Sequence, residues 1–225
     1  MIGLLPHYIH TINPSLKHTY LTFNEQGELL IKSPGLSPAE IEKLILQKSG
    51  WIRKSQNRLL AKKGQKVDFN NKTTLYYLGK GYPLKMQKSE QKRAALHFDG
   101  QAFILHYHHF DPELFHRKIN HFYKTAAQHY IPPLVYKWAE QMTLFPKEIR
   151  FRKTKRQWGS CSSANILSFN TMLMKLPKEA VEYVIIHELA HIRHKHHQKA
   201  FWKLVEDTMP SYKEQVAVLK TYTPT

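Results

Sequence analysis

The segment that decides the fold is VIIHELAHIRHKHHQKAFWKLVE, residues 184–206. It contains the pattern His-Glu-x-x-His at His187, Glu188 and His191, among apolar residues spaced as on a buried helix face. Side chains four residues apart on a helix lie about 5 to 6 Å from each other, so His187 and His191 can bind one metal ion. Glu188 lies to the side of the pair, where it can act on a water molecule without binding the metal. The pattern predicts a catalytic zinc site with one ion per chain.

A catalytic zinc ion needs a third protein ligand and an open position for water. Four residues further along are candidates: His194, His196, His197 and Glu206. We favour His197, because the spacing H-E-x-x-H-x5-H-x3-F places it at the start of a second helix that packs against the first. His194 follows His191 by only three residues and should rotate away from the metal, and His196 is expected at the solvated helix end. Glu206 remains the alternative and would give a site of two histidines and one glutamate.

The sequence around this segment predicts strands before it and helices after it. Residues 147–177 are typical of two strands joined by a polar turn at 158–163. Pro177 is expected to begin the metal-site helix, and a further helix is predicted from about His197 until Pro210 ends it. These patterns predict a metal-site helix that follows a pair of strands and precedes a second helix.

Three residues near these elements are candidates for contacts with a substrate. Arg156 belongs to a basic stretch that can attract a polyanion or an acidic peptide, or can simply be solvated. Trp158, at the predicted turn, can line the cleft or pack against the helix. Tyr212, after Pro210, is a candidate donor to the oxyanion that forms when water attacks a carbonyl.

The first half of the chain has the patterns of a strand-rich region. Residues 1–110 predict several short strands and hairpins with one helical segment, which Ser37 caps and Gly50 is expected to divide. A helical period begins near Pro112, and Pro132-Pro133 should kink or restart that helix. We therefore predict an α+β protein with a strand-rich N-terminal region, 1–110, and a catalytic domain, 111–225.

Composition limits the classes of protein that remain. The chain has 225 residues and a single cysteine, Cys161, which excludes an internal disulfide and fits a reducing compartment. No signal peptide or membrane-spanning pattern is recognisable, so we expect a cytoplasmic protein. The formal net charge of +17 favours polyanionic partners, such as nucleic acid or nucleotides, as well as acidic protein surfaces.

Several motifs together resemble the YgjP-like metallopeptidase family. They are WGSCSS, the segment YVIIHELAHIRHKHHQKAFWKLVE and the following MPSYKE, with WIRKS and YYLGKGYPL nearer the N-terminus. The resemblance extends over nearly the whole chain, and the relatives of this family are the SprT-like and WLM proteases and the minigluzincins.

The resemblance implies an α+β zinc hydrolase in which the strand-rich N-terminal part is followed by a zincin-like core. This core has an active-site helix and a small antiparallel edge sheet, with an edge strand over its cleft. The resemblance assigns His187 and His191 as ligands, Glu188 as the general base and His197 as the third ligand. The chain departs from the family in two places: His196 stands where the family often has asparagine, and NTML, residues 170–173, stands where it commonly has N-W-R-L. The second departure concerns contacts with the substrate and leaves the metal ligands unchanged.

These patterns favour a zinc metallopeptidase that acts on a peptide or protein. One alternative keeps the metal site but hydrolyses a nucleotide or another phosphate compound. The other is a basic nucleic-acid-associated protein with the same zinc site, but structural zinc sites usually have four protein ligands and would leave Glu188 without a task.

Overall fold

The computed structural model describes residues 6–24, 27–61, 67–71 and 73–224. Within these ranges it has the mixed helices and strands of the predicted α+β class. None of the helices in the described ranges combines the length and the apolar character that crossing a membrane requires.

The chain divides into two compact units, Met1–Lys62 and Lys63–Thr225. The predicted boundary near residue 110 falls inside the second unit, because strands before that residue pack against the helix after it. The division into a strand-rich region and a catalytic domain, 1–110 and 111–225, stays a prediction.

The first unit is a three-stranded sheet with one helix. Its strands are β1 (Tyr8–Ile12), β2 (Tyr20–Phe23) and β3 (Leu29–Ser33), and its helix is α1 (Pro38–Leu60). The central strand β3 runs parallel to β1 and antiparallel to β2. The sheet and the helix share a small buried core of Leu29, Ile31, Ile41, Ile45 and Ile52.

The helix α1 begins where the sequence predicts and continues beyond the expected break. Ser37 and Glu40 form a reciprocal capping box at its start. The expectation that Gly50 divides the segment is wrong, because the buried stripe continues across it from Ile45 to Ile52. A glycine inside a helix costs only about 1 kcal/mol relative to alanine, which this packing offsets.

The second unit begins with a four-stranded sheet that packs on a long helix. Its strands are β4 (Thr74–Tyr77), β5 (Lys80–Lys88), β6 (Ala95–Phe98) and β7 (Phe103–Tyr107), in the order β4-β5-β7-β6. The two predicted hairpins, β4–β5 and β6–β7, are confirmed as antiparallel pairs. The helix α2 (Pro112–Met142) does not restart at Pro132-Pro133, because Ile131 and Val135 keep the same face in the core on both sides.

A second, smaller sheet leads to the metal-site helix. It contains β8 (Glu148–Arg152), β9 (Gly159–Cys161) and β10 (Ile166–Asn170), in the order β8-β10-β9. The sequence predicted two strands with residues 158–163 at the bend, but residues 159–161 form a strand of their own at the sheet edge. The pair β9–β10 is antiparallel, and the pair β8–β10 is parallel.

The last third of the chain is helical. A 3-10 helix, Thr171–Lys175, is followed by α3 (Lys178–Arg193), α4 (Lys199–Thr208) and α5 (Tyr212–Leu219). The β4–β5 turn fixes the start of α3: Gly79 has a positive φ of 84° and packs so closely on Pro177 that an added Cβ would lie 2.9 Å from it. The helices predicted from Pro177 and from about His197 to Pro210 are present as α3 and α4.

Candidate metal centre

The helix α3 carries two histidines one turn apart at a fixed place in the core. The ring centroids of His187 and His191 lie 4.9 Å apart. Apolar residues around the two histidines are buried and hold the helix in place: Ile185, Ile186, Leu189 and Ala190. Because the helix backbone is anchored in this way, the two imidazoles start from fixed positions.

The segment between α3 and α4 brings a third histidine to this pair. The Nε2 atom of His197 lies 3.0 Å from the Nε2 atom of His187, and its ring centroid lies 4.7 Å from that of His191. One ring nitrogen from each of the three histidines falls within 4.8 Å of the others. The structure thus brings together the three histidines that the sequence singled out, and their role as ligands stays a prediction.

The donor set suits a divalent metal ion such as zinc. Three imidazole nitrogens are the ligand number of catalytic zinc sites. Two ring nitrogens that face each other at 3.0 Å need either a proton or a cation between them, because two bare lone pairs repel. The residues present therefore fit the metal that the sequence predicts.

Burial keeps the two imidazoles of α3 in the neutral form that binds metals. Burial, together with repulsion of a positive charge by His191 and His197, lowers the pKa of His187 to about 3. Burial also lowers the pKa of His191. A metal ion consequently has no proton to displace from His187 at neutral pH.

The other ring nitrogen of each α3 histidine has a partner. The Nδ1 atom of His191 lies 3.0 Å from the backbone carbonyl oxygen of His194, which can only accept, so Nδ1–H donates. The Nδ1 atom of His187 lies 3.3 Å from the hydroxyl oxygen of Tyr183. Burial raises the pKa of Tyr183 to about 12, so this hydroxyl is neutral. For His191, at least, the partner leaves Nε2 with its lone pair.

Glu188 is a carboxyl group inside the protein. Its side chain is only 6% exposed, and burial raises its pKa to about 8. A group with this pKa exchanges protons near neutral pH, as a general acid and base must.

The edge strand β9 lies directly against Glu188. A Cβ atom added to Gly159 would lie 2.6 Å from Oε1 and 2.7 Å from Cγ of Glu188, so any side chain there would displace the carboxyl group. Sequence reasoning placed Gly159 in a turn and gave it no role. The signal was present in the motif WGSC, but the reason for glycine becomes apparent only when strand and helix meet.

The three predicted substrate contacts have different surroundings. Arg156 is exposed in the segment before β9. Trp158 is partly buried against the hydrophobic core, as the simpler alternative predicted, and its carbonyl oxygen accepts a hydrogen bond from the Asn170 N–H. Tyr212 is 9% exposed, and its ring stacks on other aromatic rings. Their contacts with a substrate stay predictions.

The other candidates for the third ligand have other neighbours. Glu206 is exposed, and its Oε1 atom lies 3.7 Å from Nζ of Lys213. His196 is exposed, and His194 ends α3, where its carbonyl oxygen accepts from His191. Within the described part of the chain, the group that could hold a metal comprises the three histidines without Glu206.

Comparisons with known proteins find a matching family model and three matching chains of solved structures, among them those of two metallopeptidase zymogens. A family model described as YgjP-like, metallopeptidase domain, matches residues 17–222. The metallopeptidase zymogen abylysin of Pyrococcus abyssi is 24% identical, with a TM-score of 0.37 over 40% of this chain and 90% of that one. The metallopeptidase zymogen jannalysin of Methanocaldococcus jannaschii is 18% identical, with a TM-score of 0.34 over 39% and 93%. No curated protein matches the chain.

Proposed function

Because the chain belongs to the YgjP-like metallopeptidase family, we propose that it is a zinc-dependent peptidase with Glu188 as its general base. Membership of the family makes the protein a metal-dependent, peptidase-like hydrolase. The identity of the metal, its ligands and the base are the parts proposed here.

One observation carries the proposal: three imidazoles meet beside a buried carboxyl group that lies under an edge strand. A carboxyl group that is 6% exposed, with no ion-pair partner in the described part of the chain, is costly for a stable fold. Such a group next to a cluster of metal-binding side chains is typical of an active site. We assign His187, His191 and His197 as the ligands of one zinc ion.

The chemistry follows from these groups. Zinc, when bound, lowers the pKa of a water molecule to about 7 and polarises the carbonyl group of a substrate. The carboxylate of Glu188 accepts a proton from the attacking water and then donates it to the leaving amine. Burial raises the pKa of Glu188 to about 8 in the metal-free protein, and the positive charge of a bound zinc ion would favour the carboxylate form that accepts the proton.

The edge strand β9 provides a place for an extended peptide. It pairs with β10 on one side only, so its other edge can add a strand by backbone hydrogen bonds. The packing of Gly159 on Glu188 puts this edge next to the proposed base. We propose that the substrate is a peptide or protein segment bound in extended form along β9.

Hydrolysis assays separate this function from the nucleotide or phosphate hydrolase alternative. The zinc-loaded protein would be incubated with casein and a peptide pool, and separately with a nucleotide pool, with products identified by mass spectrometry. Peptide cleavage that disappears in Glu188→Gln supports the proposal. Nucleotide hydrolysis that depends on Glu188, without peptide cleavage, would replace it with the phosphohydrolase.

The charge of the chain keeps a polyanionic partner as a separate proposal. Beyond Glu42, the only charged residues of α1 are basic and exposed: Lys43, Lys48, Arg53, Lys54 and Arg58. If they contact nucleic acid, binding to DNA or RNA should weaken steeply as salt rises. Undetectable binding at low salt would remove this partner without affecting the peptidase.

A further inference from the structure

A series of stacked aromatic rings connects two of the proposed zinc ligands, His197 and His187. The ring of His197 stacks on Trp202 of α4 at 5.5 Å, and Trp202 stacks on Tyr212 of α5 at 5.6 Å. Tyr212 stacks in turn on Tyr183 of α3 at 6.4 Å, with the hydroxyl of Tyr183 at His187. The three interplanar angles, 24°, 22° and 21°, are those of near-parallel rings. We refer to Tyr183, Tyr212 and Trp202 as the aromatic stack.

The aromatic stack connects an exposed ligand to the core. His197 is exposed and belongs to the segment between two helices, whereas Tyr183 is 4% exposed and Tyr212 is 9% exposed. Without a support, an exposed histidine in a short connection can turn into solvent and loses rotamer freedom when it binds metal. Stacking on a ring whose own neighbours are buried restricts it beforehand.

At the other end of the aromatic stack, the hydroxyl of Tyr183 is the partner of the His187 ring. Because Nε2 of His187 faces Nε2 of His197, the atom left for an outer partner is Nδ1. A neutral imidazole has a single N–H, so a metal at Nε2 requires the proton at Nδ1. In that tautomer the Nδ1–H would donate a hydrogen bond to the hydroxyl oxygen of Tyr183, which lies 3.3 Å from Nδ1. The carbonyl oxygen of His194 accepts from the Nδ1–H of His191 in the same way.

We propose that Tyr183 is a positioning residue that fixes the tautomer and ring orientation of His187, and that the aromatic stack extends this control to His197. The inference rests on the proposed function, because it takes the three histidines to be metal ligands. Partners of this kind typically account for 10- to 100-fold in metal affinity. The tyrosine hydroxyl would thus set how tightly the site holds zinc, with no contact to the substrate.

The test compares two variants, each of which removes only the hydroxyl group of one buried tyrosine. Tyr183→Phe removes the partner of His187, and Tyr123→Phe removes a hydroxyl that donates to the Tyr76 carbonyl oxygen at 2.7 Å. Zinc affinity would be measured by competition with a chelator, and thermal unfolding would be followed on the metal-free protein. We expect zinc to bind at least 10-fold more weakly to Tyr183→Phe and with unchanged affinity to Tyr123→Phe. We expect the melting temperature to fall more in Tyr123→Phe than in Tyr183→Phe.

A second pair of variants tests the stack at Trp202, whose ring stacks on His197 and also lies edge-on to His187 at 6.0 Å between centroids. Trp202→Phe keeps an aromatic ring against His197 and should bind zinc within a few-fold of the wild-type protein. Trp202→Leu keeps an apolar side chain but no ring, and we expect its zinc affinity to fall about 10-fold. Equal affinities in the two variants would overturn the role of the stack, since a merely apolar contact would suffice.

The outcomes separate this inference from the function beneath it. If the wild-type protein binds one zinc and Tyr183→Phe binds it as tightly, the positioning role is wrong and the peptidase proposal stands. If affinity falls equally in Tyr183→Phe and Tyr123→Phe, the effect is general destabilisation and the inference is also wrong. If the wild-type protein binds no zinc after reconstitution, both fall together.

Discussion

The two helices α1 and α3 differ in whether they bury ionisable side chains. Among the α1 side chains that the structure describes, only isoleucines are buried, and the charged ones are exposed. In α3 the carboxyl group of Glu188 is buried and the imidazole of His187 is largely so, and burial shifts the pKa of each toward its neutral form. Burying ionisable groups lowers the stability of the fold, so we do not expect it in a helix whose role is only structural. From this contrast we expect hydrolytic chemistry at α3 of the second unit and none at α1 of the first, where the described ionisable side chains are exposed.

The largest effect should follow from removing a proposed ligand in α3. His187→Ala leaves two imidazoles, and we expect the zinc content to fall from about one ion per chain to near zero, with loss of all hydrolysis. Elemental analysis of the reconstituted protein measures this directly. His196→Ala, an exposed histidine nearby, is the control and should retain its zinc. Full zinc content in His187→Ala would remove His187 from the site.

The third ligand admits a sharper comparison. His197→Ala should weaken zinc binding and also lower the melting temperature of the zinc-loaded protein, because metal binding to the folded state adds stability. Glu206→Gln should change neither, because Glu206 faces solvent beside Lys213. The opposite result, with zinc lost only in Glu206→Gln, would mean a site of two histidines and one glutamate.

Replacing the base should abolish turnover while sparing the metal. We expect Glu188→Gln to keep one zinc ion and to lose about 10³-fold in kcat, within the range of 10² to 10⁴ that general acid–base groups contribute. The matched change in the other helix, Glu42→Gln, removes an exposed carboxylate and should leave kcat unchanged. A Glu188→Gln protein with full activity would show that another group activates the water.

The sequence predicted some parts of the candidate site and its surroundings better than others. The spacing of His187, Glu188 and His191 follows from the helical period alone, so their arrangement was predictable. The meeting of His197 with them needed the course of the connection between α3 and α4, which the spacing only favoured. Gly159 was not predictable, because its close approach to Glu188 depends on a strand and a helix from separate parts of the chain.

The pKa of Glu188 predicts how the stability of the metal-free protein depends on pH. Its pKa rises from about 4.5 in the unfolded chain to about 8 in the folded protein, so the folded state binds the proton more tightly. The resulting stabilisation is complete below about pH 4.5 and is lost as the pH rises through 8, by at most about 5 kcal/mol. His187, whose pKa is lowered to about 3, acts in the opposite sense between about pH 3 and 6.5.

Comparing wild type with Glu188→Gln isolates the contribution of the glutamate. Urea unfolding with a chelator present, from pH 5 to 8, should give the wild-type protein a free energy of unfolding that falls relative to that of the variant. His187 is present in both proteins, so its contribution cancels in the difference. A difference that does not change with pH would mean that Glu188 is already ionised in the folded protein.

The smallest effects should come from substituting two glycines. Gly159 packs on Glu188 of α3, and Gly50 lies within α1. Gly159→Ala puts a Cβ 2.6 Å from the carboxyl oxygen of Glu188, so we expect kcat to fall about 10-fold and stability to fall by about 1–3 kcal/mol. Gly50→Ala in α1 meets no atom within 4 Å and gains helix propensity, so it should stabilise the first unit by about 0.5–1 kcal/mol without changing kcat. Steady-state kinetics and urea unfolding of both variants measure the two effects side by side. If Gly159→Ala kept full activity, the close packing of β9 on Glu188 would have no part in placing the base, and the contrast between the two helices would rest on burial alone.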